Sequence, residues 1–222
     1  MKRIAYCLLL ASLALMGNSC LGVSADIVMR ADGSGSITLK YRVSQMLESM
    51  GRLDGNEGRP AIPVGRADFE RTVARIPGLR LSSYSAKEAA NALGGKDLVT
   101  NVKLDFKEPA ALLAFLDSTG SRASIVRGYD GKNTLSLVLL DPLEKEDAVD
   151  ADLLSLLQEV SAGYEISVSF TAPKEASLSC YSWSCFPPTF PGIVPQGKKV
   201  SFAVGTGELI SMKDGLTLEI VW

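Results

Sequence analysis

Cysteines are the residues of this sequence whose type and spacing could do chemistry. Cys180 and Cys185 have four residues between them, in the segment Cys-Tyr-Ser-Trp-Ser-Cys. A redox pair and half of a zinc site are the functional alternatives, but the spacing differs from Cys-x-x-Cys and two further zinc ligands are missing. We therefore predict a local disulfide between Cys180 and Cys185, which would stabilise its loop by roughly 2 kcal/mol.

The lack of histidine removes most catalytic arrangements. The chain contains no histidine, which excludes Ser-His-Asp triads, Cys-His pairs and histidine metal sites. Asp32, Asp130 and Asp214 adjoin glycine in turn-like segments, which is an ordinary structural position for a carboxylate. Residues 141–147 lack the EF-hand pattern, and residues 205–208 have too few glycines to bind a nucleotide phosphate. We predict a protein that is not an enzyme and has no cofactor or metal; glycoside hydrolysis by two carboxylates is the catalytic alternative.

The amino terminus has the three zones of a secretory signal peptide. Lys2 and Arg3 precede an apolar run over residues 4–16, and mostly small residues fill positions 17–25. The apolar run is too short to span a bilayer comfortably, since about 20 residues are needed. The sequence therefore predicts export of the protein and removal of the signal.

Two cleavage sites compete within the small-residue stretch. Residues 15–20, Leu-Met-Gly-Asn-Ser-Cys, resemble a bacterial lipobox, in which the cysteine becomes the lipidated first residue, although Gly17 stands where leucine is usual. Val23-Ser24-Ala25 suits ordinary signal peptidase instead. We predict that residues 1–19 are the signal and that Cys20 carries acyl chains such as palmitate. The mature protein would be a membrane-anchored lipoprotein of a bacterial cell envelope, facing the periplasm or the exterior; cleavage after Ala25 would give a soluble exported protein.

Charge and composition restrict the partners. Without Lys2 and Arg3, 21 of the 23 basic residues remain against 25 acidic ones, a formal charge of −4. This excess of acidic residues argues against nucleic acid as a partner. With 46% hydrophobic residues, the chain can bury a sizeable core.

Alternating apolar and polar residues predict a series of half-buried strands. The predicted strands are 26–30, 36–43, 79–84, 98–106, 123–127, 134–140, 164–170, 199–204 and 216–222. Turn residues at 32–35 and 128–133 predict two hairpins. Helical spacing predicts helices over 44–52, 69–76, 86–93 and 148–160 and from Pro109 onward, and residues 209–212 are a further short strand.

These elements predict an α+β fold. We expect a curved antiparallel sheet with helices packed on one face, a helix-grip-like arrangement. No repeat and no long linker divides residues 20–222, so we predict a single domain.

Four aromatic residues lie close to the two cysteines, interleaved with proline: Tyr181, Trp183, Phe186 and Phe190. They either fold back over the core as a lid or form an exposed patch for a lipid or a protein. We predict that they are binding residues, and the exposure of Trp183 decides between the alternatives.

The N-terminal hairpin carries a resemblance to a known family. The turn Asp32-Gly33-Ser34-Gly35, the strand Ile37-Thr-Leu-Lys-Tyr-Arg-Val43 that follows it and the order of the later elements resemble the LppM-type lipoprotein domain. The resemblance covers most of the mature chain. It implies an exported, membrane-tethered domain whose curved sheet grips a helix, with a role in handling lipid or envelope glycolipid.

Two non-enzymatic functions follow from these expectations. The first is binding of a lipid or other amphiphile in an apolar groove between the sheet and the helix over 148–160. The alternative is a structural or interaction lipoprotein that docks a protein partner through the aromatic loop. The membrane, reached through the N-terminal lipid, is the predicted partner in both.

Overall fold

Eleven strands and three short helices make up the described part of the protein. The computed structural model describes residues 21–44, 65–91, 94–117, 121–141, 155, 158–159, 161, 163–181, 194–212 and 214–222. The strands are β1 (Leu21–Met29), β2 (Gly35–Ser44), β3 (Leu79–Ala90), β4 (Lys96–Phe106), β5 (Ala123–Arg127), β6 (Asn133–Leu140), β7 (Glu165–Thr171), β8 (Ser177–Tyr181), β9 (Val194–Gln196), β10 (Lys199–Gly205) and β11 (Leu216–Val221). The helices are α1 (Arg66–Arg75), α2 (Pro109–Leu116) and α3 (Thr206–Ser211).

The strands form two sheets. The larger sheet has the order β3-β4-β2-β1-β7-β10-β9, and the smaller one has the order β5-β6-β11-β8. Neighbouring strands are antiparallel except for β1 and β7, which are parallel. The first strand of the described chain is therefore a central strand, hydrogen-bonded to β2 on one side and to β7 on the other.

One hydrophobic core joins the two sheets. Alternate residues of the larger sheet, such as Ile27, Ile37 and Phe170, are fully buried, because successive side chains of a strand point to opposite faces. Leu218 of the smaller sheet belongs to the same core. The rings of Phe170 and Trp222 lie 4.9 Å apart, which joins the sheets near the end of the chain. We call the face of the larger sheet that carries Ile27 the inner face and the other the outer face.

The predicted α+β fold is wrong. The structure is mostly β, with two mixed or antiparallel sheets rather than one antiparallel sheet with helices packed on one face. A second sheet supplies the layer that the sequence pattern assigned to helices, since β5, β6, β11 and β8 bury one face against the core. The local alternation of these strands is the same in either architecture, so pattern alone did not separate them.

Several local predictions are confirmed. The hairpin of β5 and β6 and the helices at Arg66 and Pro109 form near the predicted positions. Pro109 stands in the first helical turn, where its missing N–H is not needed. The hairpin of β1 and β2 also forms, and Gly33 takes a φ of 82° in its turn.

Other local predictions are wrong for identifiable reasons. The segment predicted as a helix over 86–93 continues β3 as far as Ala90, because its residues pair with Lys96–Thr100 of β4 despite their helical preference. Residues predicted as a strand over 209–212 belong mainly to α3. The helix over 44–52 lies outside the described residues except for Ser44, which ends β2. Most of the predicted helix over 148–160 also lies outside them.

Candidate functional site

The ladder of the larger sheet defines two opposite ends. At one end Leu21 of β1 pairs with Val43, Val43 pairs with Leu98, and Leu98 pairs with Glu88. We call this row and its surroundings the proximal end. The opposite, distal end carries the row Met29, Gly35, Phe106 and Leu79.

Burial of the inner face falls from the distal to the proximal end. Ile27, Ile37 and Leu104 are fully buried, and these three positions pair with one another in the distal half. Further toward the proximal end several inner side chains are only half-buried, although Thr100 and Val204 remain buried. The half-buried side chains are Val23, Tyr41, Val43, Leu98 and Ile166. We call these five residues, together with the buried Thr100, the proximal face. Apolar side chains of the sheet thus remain accessible to solvent at one end.

Thr100 is the unusual member of the proximal face. It lies between Tyr41 of β2 and Ala86 of β3 in the ladder, and its side chain has the parity of the core residues Val102 and Leu104. The residue is fully buried, and its Oγ1 has no hydrogen-bond partner in the part of the chain that the structure describes. A buried hydroxyl without a partner costs about 1–3 kcal/mol, which makes Thr100 a candidate for contact with a ligand.

Helix α1 closes one flank of the proximal face. Phe69 of α1 is fully buried, and its ring lies 6.1 Å from the ring of Tyr41 and 6.1 Å from that of Tyr84. Burial raises the pKa of Tyr41 to about 12, so its phenol remains protonated at neutral pH. The flank is therefore lined by aromatic rings and an un-ionised hydroxyl, which suits an amphiphile better than an ion.

A buried ionic network reinforces the proximal end on the outer face. The Asp97 side chain has no exposed surface, and its Oδ1 accepts hydrogen bonds of 2.8 Å from Tyr164 Oη and from Asn91 Nδ2. Its Oδ2 accepts a hydrogen bond from Arg42 Nε, and Arg42 also donates to the carbonyl of Ala90 at 3.2 Å. The Arg42 guanidinium lies 5.7 Å from the centre of the Tyr164 ring.

The network holds Asp97 in its charged form. Burial alone would raise the pKa of the carboxyl, but hydrogen bonds from Asn91, Tyr164 and Arg42, with the Arg42 charge, lower it below its ordinary value. A buried carboxylate with these partners fixes the β3–β4 hairpin and the start of β7 to the end of β2. We assign it a structural role.

Most of the site residues predicted from the sequence lie outside the part of the chain that the structure describes. Cys20, Trp183, Phe186 and Phe190 lie outside the described residues. Tyr181 ends β8 with 37% of its surface exposed and is not a member of the proximal face.

The predicted disulfide is absent where the structure describes its first cysteine. Cys180 is a free, buried thiol in β8, opposite Leu218 of β11, and Cys185 lies outside the described residues. Burial raises the pKa of the Cys180 thiol to about 11, which makes it an unreactive core side chain. The segment was predicted to be a loop, but it is strand β8, which places the Cys180 side chain in the core.

Thr100, Asp97 and Arg42 are not among the site residues predicted from the sequence. Thr100 left a readable signal, because it is the one polar residue in the apolar stripe Leu98, Thr100, Val102, Leu104 and Phe106. The network around Asp97 left none, since its Tyr164 partner is 67 positions away in the chain.

The described residues contain neither a cluster of metal ligands nor a helix that could span a membrane. Within the described ranges, no group of three or more His, Cys, Asp or Glu side chains is placed to hold a metal ion. None of the helices described is long and apolar enough to cross a membrane.

Comparison with solved structures gives a distant likeness in fold. The chain is similar to the folded domain of the LppM protein of Mycobacterium tuberculosis, determined by NMR, with a TM-score of 0.42 and 13% identity. The alignment covers 90% of this chain and 88% of that one. No protein-family profile and no curated protein matches the chain. Membership of the LppM-type family therefore stays a prediction.

Proposed function

We propose that this protein is an exported lipoprotein of a bacterial cell envelope, anchored through Cys20, which binds a lipid or other amphiphile on the proximal face without catalysing a reaction. The anchoring and the binding are supported by different observations. Each therefore has its own test.

The position of β1 supports cleavage before Cys20. Residues 21–25 form the first five positions of the nine-residue β1 and pair with residues 39–43 of β2, and residues 23–25 also pair with β7. Cleavage after Ala25 would remove them from the middle of the larger sheet. Each lost ladder hydrogen bond costs about 1 kcal/mol, against a total stability of about 5–15 kcal/mol for a typical domain. The cut would also leave unpaired edges on β2 and β7.

Cleavage before Cys20 leaves β1 whole. The signal would end at Ser19, and the cysteine that remains at the new amino terminus is the residue that a lipobox-type signal acylates. The lipobox-like sequence and the intact strand thus support the same site.

The proximal face supports amphiphile binding. Its half-buried aliphatic side chains would gain about 25 cal/mol for each Å² of apolar surface that a hydrocarbon chain covers. The Thr100 hydroxyl lies buried behind these side chains and has no hydrogen-bond partner among the described residues. A ligand that enters between them would reach it and could hydrogen-bond it through an ester carbonyl or a hydroxyl. Apolar lining with a few placed polar groups is the usual composition of a small-molecule site.

A charge placed on the proximal face tests the binding. The Val43→Asp variant puts a carboxylate beside Leu98, and we expect displacement of a fluorescent fatty acid by added lipid to be lost. The matched control is Thr38→Asp, which places the same charge on the exposed outer face of β2 and should bind as the unaltered protein does. Circular dichroism checks that both variants fold. Unchanged binding by Val43→Asp would remove the proximal face from the account, and lack of any co-purifying lipid in native mass spectrometry would count against amphiphile binding itself.

A further inference from the structure

The junction between Cys20 and β1 fixes which end of the protein meets the membrane. We infer that the proximal end of the larger sheet rests on the bilayer that holds the Cys20 acyl chains, so that the proximal face opens toward that bilayer. The inference rests on the proposed lipid anchor. It goes beyond that anchor because it assigns an interaction surface and an orientation.

The attachment point is a strand without an intervening linker. Cys20 is followed directly by Leu21, the first residue of β1. Consecutive Cα atoms are about 3.8 Å apart, so the acylated residue lies within a few Å of the ladder position where Leu21 pairs with Val43. The distal end of β1, at Met29, is about 26 Å away along the strand, since a strand rises about 3.3 Å per residue. A short attachment to a central strand gives the sheet little freedom to turn over.

The surface at the proximal end suits contact with lipid. Leu98, Val43 and Val23 are half-buried there, whereas the corresponding inner side chains at the distal end are buried. Described charged side chains of both signs lie near the proximal rows, among them Arg42, Lys87, Lys96, Glu88, Asp97 and Glu165.

The charges at this end also offset one another in pairs. Lys96 Nζ lies 2.7 Å from a Glu88 carboxylate oxygen, and Arg42 pairs with Asp97. These two pairs of described side chains therefore offset their own charges at the proximal end. Because the attachment beside Leu21 sets the orientation, we expect it to be the same with zwitterionic and anionic lipids.

This orientation determines how a ligand reaches the proximal face. An amphiphile in the anchoring bilayer would reach the proximal face directly from the membrane surface, without crossing water. Its hydrocarbon chain would pass from the bilayer onto the half-buried side chains of the proximal face.

Two matched alanine-to-cysteine variants test the orientation. Ala90 ends β3 beside Lys96 at the proximal end, and Ala31 lies in the β1–β2 turn at the distal end; both are exposed. Each becomes cysteine in the full-length, acylated protein carrying Cys185→Ser, is labelled with a nitroxide, and is reconstituted into phosphatidylethanolamine and phosphatidylglycerol vesicles. Intact mass confirms one label, because the buried Cys180 should not react. Nickel ions held by a chelating lipid speed the spin relaxation of the nitroxide, and the size of this effect reports the distance of each label from the bilayer surface.

The two labels should respond differently. We expect severalfold stronger relaxation for the label at position 90 than for the label at position 31, in zwitterionic vesicles as well. Equal relaxation, or a stronger effect at position 31, would overturn the orientation while leaving the anchor and the proximal face in place. An N-terminal mass without acyl chains would overturn the anchor, and the orientation with it.

Discussion

Replacing Thr100 with valine should stabilise the free protein and weaken ligand binding. Valine has nearly the shape of threonine but has no hydroxyl, so Thr100→Val removes the buried Oγ1 that has no described partner. Leaving a polar group buried and unpartnered costs about 1–3 kcal/mol. We expect the free energy of unfolding to rise by about 1.5 kcal/mol and Tm to rise by about 3–6 °C for a chain of this size.

The same change should lower affinity for an amphiphile. If the ligand hydrogen-bonds Thr100, the loss of one neutral hydrogen bond costs about 1.4 kcal/mol, which is about tenfold in Kd. Urea unfolding of the delipidated protein and titration with a fluorescent fatty acid measure the two effects separately. Thr38→Val, on the exposed outer face of the neighbouring β2, is the control and should change stability by no more than about 0.5 kcal/mol.

A higher free energy of unfolding together with a lower affinity for the amphiphile would identify Thr100 as part of a binding site. A Thr100→Val variant that is less stable than the unaltered protein would show that the hydroxyl already has a partner. Greater stability with unchanged affinity would show that Thr100 is a packing defect of the core and does not contact the ligand.

Four further predictions follow from the described contacts. Arg42→Gln should destabilise the protein by about 1–3 kcal/mol, because it removes the cation beside the buried Asp97 carboxylate; thermal unfolding measures this loss. Because the pKa of Asp97 is lowered in the folded state, its ionised carboxylate stabilises the protein above the unfolded pKa of about 3.9. This stabilisation is lost as the pH falls through the pKa of Asp97 in the folded protein. Stability of Asp97→Asn should accordingly fall less steeply in acid than that of the unaltered protein. Cys180 should resist iodoacetamide at pH 8 until the protein is unfolded, since burial raises the pKa of its thiol to about 11; peptide mass spectrometry reads this, and fast native labelling would contradict it. Gly35→Ala should abolish stable folding, because an added Cβ would lie 2.0 Å from the Val28 carbonyl oxygen, and normal expression with an unchanged Tm would contradict the β1–β2 packing.

The sequence predicted the strands of the larger sheet better than the arrangement of the sheets. Alternation over 36–43 and 98–106 identified β2 and β4, because one face of each is buried and the other is polar. The smaller sheet was not foreseen, since pairing of β11 with both β6 and β8 is long-range and leaves no local pattern. Residues 86–90 were misread for the same reason, because pairing with β4 outweighs their helical preference.

The candidate site was only partly accessible to sequence reasoning. The lone polar Thr100 in an apolar stripe is visible in the sequence, but that no described residue hydrogen-bonds its hydroxyl depends on the packing around it. The start of β1 at Leu21 was also not predicted, because Gly22, Ser24 and Ala25 are small residues typical of a signal cleavage region. Pairing on both sides makes these residues strand, and that pairing turns a sequence ambiguity into a structural argument.

The mass of the mature N-terminus tests the central claim most directly. The protein would be purified from the membrane fraction of expressing bacterial cells, and its N-terminal peptide would be analysed by mass spectrometry. We predict a peptide that starts at an acylated Cys20 and retains all of β1, and we predict that Cys20→Ser moves the protein to the aqueous phase. An unmodified peptide starting at Asp26 would contradict both the lipid anchor and the assignment of residues 21–25 to the sheet of the mature protein.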